Sequence, residues 1–241
     1  MLVKVIFKDY FEKFINALSF LTIIRINQKS FDASGSLLFY PLVGLLIGLL
    51  VYLAGLINQS LAPLFMLLTS VIITGGLHLD GLADTFDAYF SHKDKDKMLV
   101  IMKDSRIGVM GALALILVML SKFVAFANLN KPLTIILPFA YSRGSMIFLI
   151  DSLPYLREKG TAKAFFDNSN TNNKVLFYLI SILSIFCGIK FFILFNLAFI
   201  ITFVLLRNYH LKKVGGITGD IIGATCEIIE TALLVIGVLI G

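Results

Sequence analysis

The stretch that decides the fold is residues 35–79, GSLLFYPLVGLLIGLLVYLAGLINQSLAPLFMLLTSVIITGGLHL, which contains no Asp, Glu, Lys or Arg. A hydrocarbon layer about 30 Å thick requires roughly 20 apolar residues per helix. The uncharged turn Asn58-Gln59-Ser60 divides this stretch into spans at about 35–57 and 61–79. It therefore predicts two transmembrane helices joined by a short turn on the outer side of the membrane.

The composition of the whole chain excludes a soluble globular protein. The 241 residues are 58% hydrophobic and 15% charged, with a mean hydropathy of +0.91, whereas soluble chains are about 45–50% apolar and about 25% charged. Further spans are predicted at about 108–129, 133–150 and 221–240, with two more in 175–206, divided near Gly188. Residues 1–30 mix charged and apolar positions at helical spacing, which is typical of a helix that lies on a membrane surface or packs under the bundle.

These segments predict an all-α, polytopic integral membrane helix bundle with about seven transmembrane helices and an N-terminal interfacial helix, in a single domain over 1–241. The net charge is +6, but the basic residues concentrate in alternate gaps, at the N-terminus and in 80–107, 151–174 and 207–220. By the positive-inside rule this pattern indicates topology and not nucleic-acid binding, with these gaps and the N-terminus in the cytoplasm. Cys187 and Cys226 lie in apolar segments without disulfide or zinc spacing and are interpreted as packing residues.

The most informative motif is Thr74-Gly75-Gly76-Leu77-His78-Leu79-Asp80-Gly81-Leu82-Ala83-Asp84-Thr85-Phe86-Asp87. If it is helical, Asp80, Asp84 and Asp87 share one face, where their repulsion is unfavourable without a cation. Carboxylates of this kind suit Mg²⁺, which keeps water and substrate phosphate as its other ligands. We expect these three residues to bind the metal. His78 is a candidate base, although a histidine at a helix end is more often structural.

Two other segments hold candidate residues. Met102-Lys103-Asp104-Ser105-Arg106-Ile107-Gly108 precedes a helix, so Lys103, Arg106 and the backbone at Gly108 are candidates for phosphate binding. The alternative is that these cations only mark topology or contact lipid headgroups.

The last span follows Gly215-Gly216-Ile217-Thr218-Gly219-Asp220 and carries Glu227 and Glu230. Acids inside a membrane are functional candidates. The other interpretation is that one of them pairs with Arg143, in an apolar span, and serves packing alone.

With these motifs the chain resembles the cobalamin synthases, the adenosylcobinamide-GDP ribazoletransferases, which are integral membrane enzymes. The stretches that carry the resemblance are Phe39-Tyr40-Pro41-Leu42-Val43-Gly44, Gly75 to Asp84, Lys103 to Gly108, Ser142-Arg143, and Gly215 to Asp220 with Glu227. Of these, the second and last are the most specific. Phe86 stands where that family commonly has a small residue, and 175–206 has no family signature.

The resemblance implies that α-ribazole, or its 5′-phosphate, attacks adenosylcobinamide-GDP, giving adenosylcobalamin or its 5′-phosphate and GMP, with Mg²⁺ as cofactor. On this hypothesis Asp80, Asp84 and Asp87 hold the metal, while Lys103, Arg106 and Arg143 contact phosphate. Asp104, Asp220 or Glu227 completes the metal shell or accepts a proton. The resemblance also implies a multi-pass protein in the cytoplasmic membrane of a prokaryote, with its site facing the cytoplasm, and a homo-oligomer is compatible with it.

Two alternatives stay open at the sequence level. A CDP-alcohol phosphotransferase also places acids at a membrane face, but its motif has Arg where this chain has Ala83, and its later Gly-x-x-x-Asp-x-x-x-Asp element is absent. A cation-coupled transporter uses intramembrane carboxylates near the midplane of broken helices. Here most of the acids cluster towards one side, and no inverted repeat is visible.

Overall fold

The computed structural model describes residues 2–26, 32–129, 131–158, 160, 162–166 and 171–241. In these ranges the regular structure is helical, with one isolated parallel bridge between Tyr155 and Ile217. The helices are α1 (Leu2–Leu21), α2 (Ala33–Gly55), α3 (Gln59–Thr74), α4 (Leu77–Tyr89), α5 (Lys95–Ile101), α6 (Val109–Asn128), α7 (Pro132–Ser152), α8 (Val175–Cys187), α9 (Ile189–Val214) and α10 (Gly219–Ile240).

The predicted polytopic helical bundle is confirmed, but with fewer spans than expected. Five helices (α2, α6, α7, α9 and α10) are long and apolar enough to cross a membrane, and α3 with α4 passes the same test only as a pair. The predicted break near Gly188 is present, yet α8 before it is shorter than the roughly 20 residues that a span requires. The described residues thus contain five helices that could span a membrane, or six if α3 and α4 form one span, where the sequence predicts about seven.

The predicted span at 61–79 is wrong at its C-terminal end. Helix α3 stops at Thr74 because Gly75 and Gly76 adopt φ angles of +62° and +70°, a left-handed conformation that glycine adopts without steric cost. The chain then turns by 88° into α4. The acidic motif therefore lies on a separate helix that runs across the end of α3.

Helices α7 and α10 form the centre of the bundle. Helix α10 contacts α4, α6, α7 and α9, and α2 packs along α7. At Gly44 and Gly48 of α2 a Cβ atom would collide with the backbone of Phe139 and Ile136. Small residues one turn apart allow two helix backbones to approach closely. Helices α6 and α9 are peripheral, and their exposed Leu, Ile and Val side chains are typical of a lipid-facing surface.

The loops rich in basic residues meet at one end of the bundle. Lys213 Nζ donates to the carbonyl of Tyr89 at 3.1 Å, and Arg207 donates to the carbonyl of Ser152 at 3.4 Å. These contacts join the C-terminal ends of α4, α7 and α9. The charge pattern that suggested one membrane face therefore corresponds to one end of the structure.

Helix α1 covers most of the predicted interfacial segment, whose residues 1 and 27–30 lie outside the described part of the chain. It exposes Phe7, Tyr10 and Phe11 and buries Ala17 and Leu21. The chain after it is attached to the bundle, since the backbone N–H of Ile23 donates to the carbonyl of Ile73 at 2.8 Å. This attachment brings the end of α1 beside the turn between α3 and α4.

Candidate active site

Two adjoining cavities lie where α1, α4 and the basic loops come together. The outer cleft is open, with a volume of about 1190 Å³, and is lined by the chain after α1, the α3–α4 turn, one face of α4, and Ser105 and Ile107. The inner chamber has a volume of about 120 Å³ and lies between α4, α7, α10 and the segment 155–165. Phe20, Leu77 and Asp80 line both. Asp80 thus stands at the junction of a large and a small cavity.

Asp80 and Asp84 form an acidic wall of the outer cleft. They are one turn apart on α4, with Asp80 exposed and Asp84 partly buried. The carboxylate of Asp84 is repelled by those of Asp80 and Asp220 and attracted by the guanidinium of Arg157. The negative charges at this corner therefore exceed the positive ones, an imbalance that a bound cation would relieve.

The donor set fits a magnesium ion that is shared with a substrate. No group of three or more His, Cys, Asp or Glu side chains within the described ranges is arranged to hold a metal by itself. Mg²⁺ commonly takes only one or two carboxylates and completes its octahedron with water and phosphate oxygens. Asp80 and Asp84 are suited to that kind of site.

Asp87, the third acid of the motif, has a different set of partners. Its two carboxylate oxygens accept hydrogen bonds from the backbone N–H groups of Gly108, at 2.6 Å, and Gly111, at 2.8 Å. A Cβ atom on either glycine would collide with this carboxylate. Because a negative charge is favourable at a helix N-terminus, Asp87 fastens the start of α6 to α4. Asp87 therefore has partners of its own, apart from Asp80 and Asp84, with which it was expected to bind the metal. The backbone N–H of Gly108, a candidate for phosphate binding, donates to Asp87 instead.

Helices α4 and α10 cross at very short range, which places Asp220 beside the acidic wall. Gly81 lies against the backbone of Asp220, and Gly223 lies against that of His78, so that a Cβ atom on Gly81 would overlap the opposing chain. Thr218 caps α10 by accepting the N–H of Ile221 at 3.3 Å. This crossing brings together the two glycine-containing motifs that the sequence singled out.

Arg157 completes this corner and was missed as a site residue at the sequence level. Its Nη2 donates to Asp220 Oδ2 at 2.5 Å. The loop that carries it is paired with the glycine motif, since the N–H of Leu156 donates to the carbonyl of Ile217 at 2.9 Å and the N–H of Ile217 donates to that of Pro154 at 2.9 Å. A lone arginine in a basic loop has no motif around it, so only the fold identifies its partner.

A separate cluster of charges is buried between α6, α7 and α10. Lys122 Nζ donates to Glu227 Oε2 and Glu230 Oε1, both at 2.6 Å, and Arg143 pairs with Glu230. All four side chains are between 1% and 4% exposed. The cluster has two positive and two negative members, which is how buried charges become tolerable.

This cluster alters the interpretation of two predicted site residues. Neither Glu227 nor Arg143 lines the outer cleft or the inner chamber. The packing interpretation considered for the last span accounts for Arg143, whose partner is Glu230. Lys122 was missed, although a single lysine within the apolar segment 108–129 is the kind of signal that marks a buried partner.

His78 lies between the buried cluster and the inner chamber. It is 3% exposed and lines the chamber. Neither ring nitrogen has a hydrogen-bond partner among the described residues. Since an unsatisfied buried polar group is costly, an unpartnered imidazole that lines a cavity is suited to binding a ligand.

Lys103 and Arg106, two of the predicted phosphate-binding residues in the loop before α6, are exposed and lie outside both cavities. Arg106 forms a two-point contact with Asp104, from Nε to Oδ1 at 3.0 Å and from Nη2 to Oδ2 at 2.5 Å. These hydrogen bonds lower the pKa of Asp104 to about 2. Lys103 is also exposed. The arginines that line the cavities are Arg25 in the outer cleft and Arg157 in the inner chamber.

Comparisons with known proteins agree over nearly the whole chain. The sequence model of cobalamin-5-phosphate synthase matches residues 13–238. An adenosylcobinamide-GDP ribazoletransferase of Clostridioides difficile is 38% identical, with 93% of this chain and 96% of that protein covered. One of the same name from Acinetobacter baumannii is 36% identical, with 90% and 93% covered. No solved structure matches significantly.

Proposed function

The chain belongs to the cobalamin-5-phosphate synthase family, and we propose that it is an adenosylcobinamide-GDP ribazoletransferase. A hydroxyl group of α-ribazole, or of its 5′-phosphate, attacks the phosphorus that carries cobinamide. The bond from that phosphorus to the oxygen of GMP breaks, which yields adenosylcobalamin or its 5′-phosphate and GMP. The observation that carries the proposal is the meeting of a large cleft and a small chamber at Asp80, which offers adjoining spaces to the corrinoid nucleotide and to the acceptor.

Asp80 and Asp84 are the residues that we assign to Mg²⁺. They line the cleft, and their repulsion favours a cation between them. When bound, Mg²⁺ neutralises charge on the pyrophosphate oxygens and on the departing GMP.

The chain's cationic side chains orient the pyrophosphate. Phosphoryl transfer depends mainly on positioning and charge neutralisation, and arginine matches phosphate geometry with two parallel hydrogen bonds. Arg25 lines the cleft and Arg157 lines the chamber. We assign the phosphate contacts to these two in place of Lys103 and Arg106.

Asp220 is the acid that we assign to the attacking hydroxyl group. Among the three acids considered at the sequence level it is the one that lines the chamber. Both hydrogen bonds described for its side chain, from Arg157 and Thr218, end on Oδ2. Oδ1 is therefore the oxygen that receives the proton as the new P–O bond forms.

We further assign the site to the cytoplasmic face of a prokaryotic inner membrane. The loops that surround it contain most of the basic residues, and such loops are retained in the cytoplasm. In this orientation the N-terminus is cytoplasmic, and the open cleft admits substrates from the cytoplasm.

The test measures GMP release by purified protein in detergent with adenosylcobinamide-GDP, α-ribazole and Mg²⁺. We expect Asp80→Asn to lower kcat by about a hundredfold or more, because it removes a charge that binds the metal. Asp96→Asn, which alters an exposed acid of α5 outside both cavities, is the matched control and should retain activity. Wild-type protein that releases no GMP would overturn the assigned activity, whereas full turnover by folded Asp80→Asn would remove only Asp80 from the site.

A further inference from the structure

The inner chamber is small and adjoins the outer cleft at Phe20, Leu77 and Asp80. Its volume is about 120 Å³, somewhat less than that of a protein cavity of about 150 Å³ that holds benzene. The outer cleft, at about 1190 Å³, is roughly ten times larger. A corrinoid or a guanine nucleotide therefore exceeds the chamber, whereas a flat heterocycle can enter it by one edge, with the rest of its ring system in the adjoining cleft.

The chamber has an aromatic side. The rings of Phe20 and Phe165 are in edge contact with centroids 4.9 Å apart, and Tyr40 lies 6.0 Å from Phe165 and 6.2 Å from Phe20. All three rings line the chamber. Aromatic side chains arranged in this way favour a planar aromatic ligand, which they contact by stacked or edge-to-face packing.

Part of the chamber lining is polar, and some of its nitrogen atoms have no hydrogen-bond partner. His78 presents two ring nitrogens without a partner among the described residues, and Arg157 Nε is likewise buried and unpartnered there. A neutral imidazole offers one donor and one acceptor. A few polar groups aimed into a mostly apolar pocket are the usual means of fixing a ligand's orientation.

From these observations we propose that the inner chamber receives one edge of the flat aromatic base of the acceptor nucleoside, with His78 as its hydrogen-bonding partner. This inference rests on the proposed function for the identity of the acceptor. The base enters between the aromatic side and His78. Its sugar then lies towards Asp80 and Asp220, where the attacked phosphorus is held.

The test reduces the chamber without altering the acids. Ala162 lines the chamber and is 6% exposed, so Ala162→Leu places a larger side chain in the space for the base. Ala164, two residues along the same turn, is exposed and outside the chamber, so Ala164→Leu is the matched control. His78→Phe removes the hydrogen bond but keeps a flat ring.

Two measurements separate the outcomes. Binding of α-ribazole to the purified proteins in detergent is measured by calorimetry, and steady-state GMP release provides a KM for each substrate. We expect Ala162→Leu to weaken α-ribazole binding tenfold or more. His78→Phe should weaken α-ribazole binding by about three- to tenfold, which corresponds to the free energy of one hydrogen bond. The KM for adenosylcobinamide-GDP should stay within about twofold in both, and Ala164→Leu should match the wild type.

The proposal is overturned if folded Ala162→Leu and His78→Phe bind α-ribazole as the wild type does. It is also overturned if both lower the affinity for adenosylcobinamide-GDP and not that for α-ribazole. If the wild type binds α-ribazole in a chamber-dependent way but releases no GMP, the binding site stands and the proposed activity fails. The two proposals can thus fail separately.

Discussion

Replacing Lys122 with methionine tests the buried charge cluster, whose four side chains line neither the outer cleft nor the inner chamber. The ammonium group lies 2.6 Å from Glu227 and 2.6 Å from Glu230, while Arg143 pairs with Glu230 alone. Lys122→Met therefore removes the ion-pair partner described for Glu227 and leaves only the more distant guanidinium of Arg143 to attract that buried carboxylate. Breaking a buried pair in this way typically costs about 3–5 kcal/mol. For a chain of this length that corresponds to a melting temperature lowered by about 6–20 °C.

The double variant Lys122→Met/Glu227→Gln shows whether charge is the cause. It removes one positive and one negative group and leaves the Arg143–Glu230 pair intact, so the cluster is neutral again. We expect it to regain about 2 kcal/mol or more of the loss, with the remainder reflecting a buried amide. Lys131→Met is the control, because Lys131 is exposed and donates to the carbonyl of Gly241 at the other end of the bundle.

Unfolding is followed by circular dichroism in detergent, and GMP release is measured at a temperature where every variant is folded. The reasoning is refuted if Lys122→Met is as stable as the wild type, or if the double variant is no more stable than the single one. Turnover by the double variant should stay within about threefold of the wild type, since neither side chain lines a cavity. A folded but inactive double variant would mean that the cluster takes part in the reaction, either directly or through the neighbouring His78.

Two further predictions concern acids whose partners the structure identifies. Asp87→Ala should lower the free energy of unfolding by about 2–3 kcal/mol, because it removes two hydrogen bonds at the start of α6; excess Mg²⁺ should not restore the lost stability, and restoration would instead indicate a metal ligand. Asp104→Asn should leave the pH profile of GMP release unchanged from about pH 5 to 9. The Asp104 carboxyl, with its pKa lowered to about 2, is ionised over this whole range. A shift of the acidic side of the pH–activity curve in Asp104→Asn would contradict the interpretation that Asp104 only pairs with Arg106.

Much of the fold was predictable because membrane helices obey a local rule. The length of each apolar segment and the breaks at Asn58, Lys131 and Gly188 locate the helices, since a span is set by the thickness of the hydrocarbon layer. The rule failed after Thr74. Composition shows that residues 61–79 are apolar, but the direction after Gly75 and Gly76 depends on how α4 packs against α6 and α10.

The candidate site was predictable only in part. The acids at Asp80 and Asp84 were recognised from their spacing on one helix, which is a local property. The sequence equally suggested Asp87, whose partners at Gly108 and Gly111 belong to another helix. Arg25 and Arg157 have no motif around them, and their places in the cavities follow from the loops that carry them.

The sequence by itself determined that this chain is a helical membrane protein with its charges gathered towards one end, and its motifs indicated the family. Which charges meet was decided by the tertiary structure alone. Lys122 and Glu227 are separated by 105 residues, and Arg157 and Asp220 by 63. The strength of an ion pair depends on the distance between the charges and on the surrounding dielectric, and neither can be read from the sequence alone. The same limit applies to the two cavities, which exist only where separate helices meet.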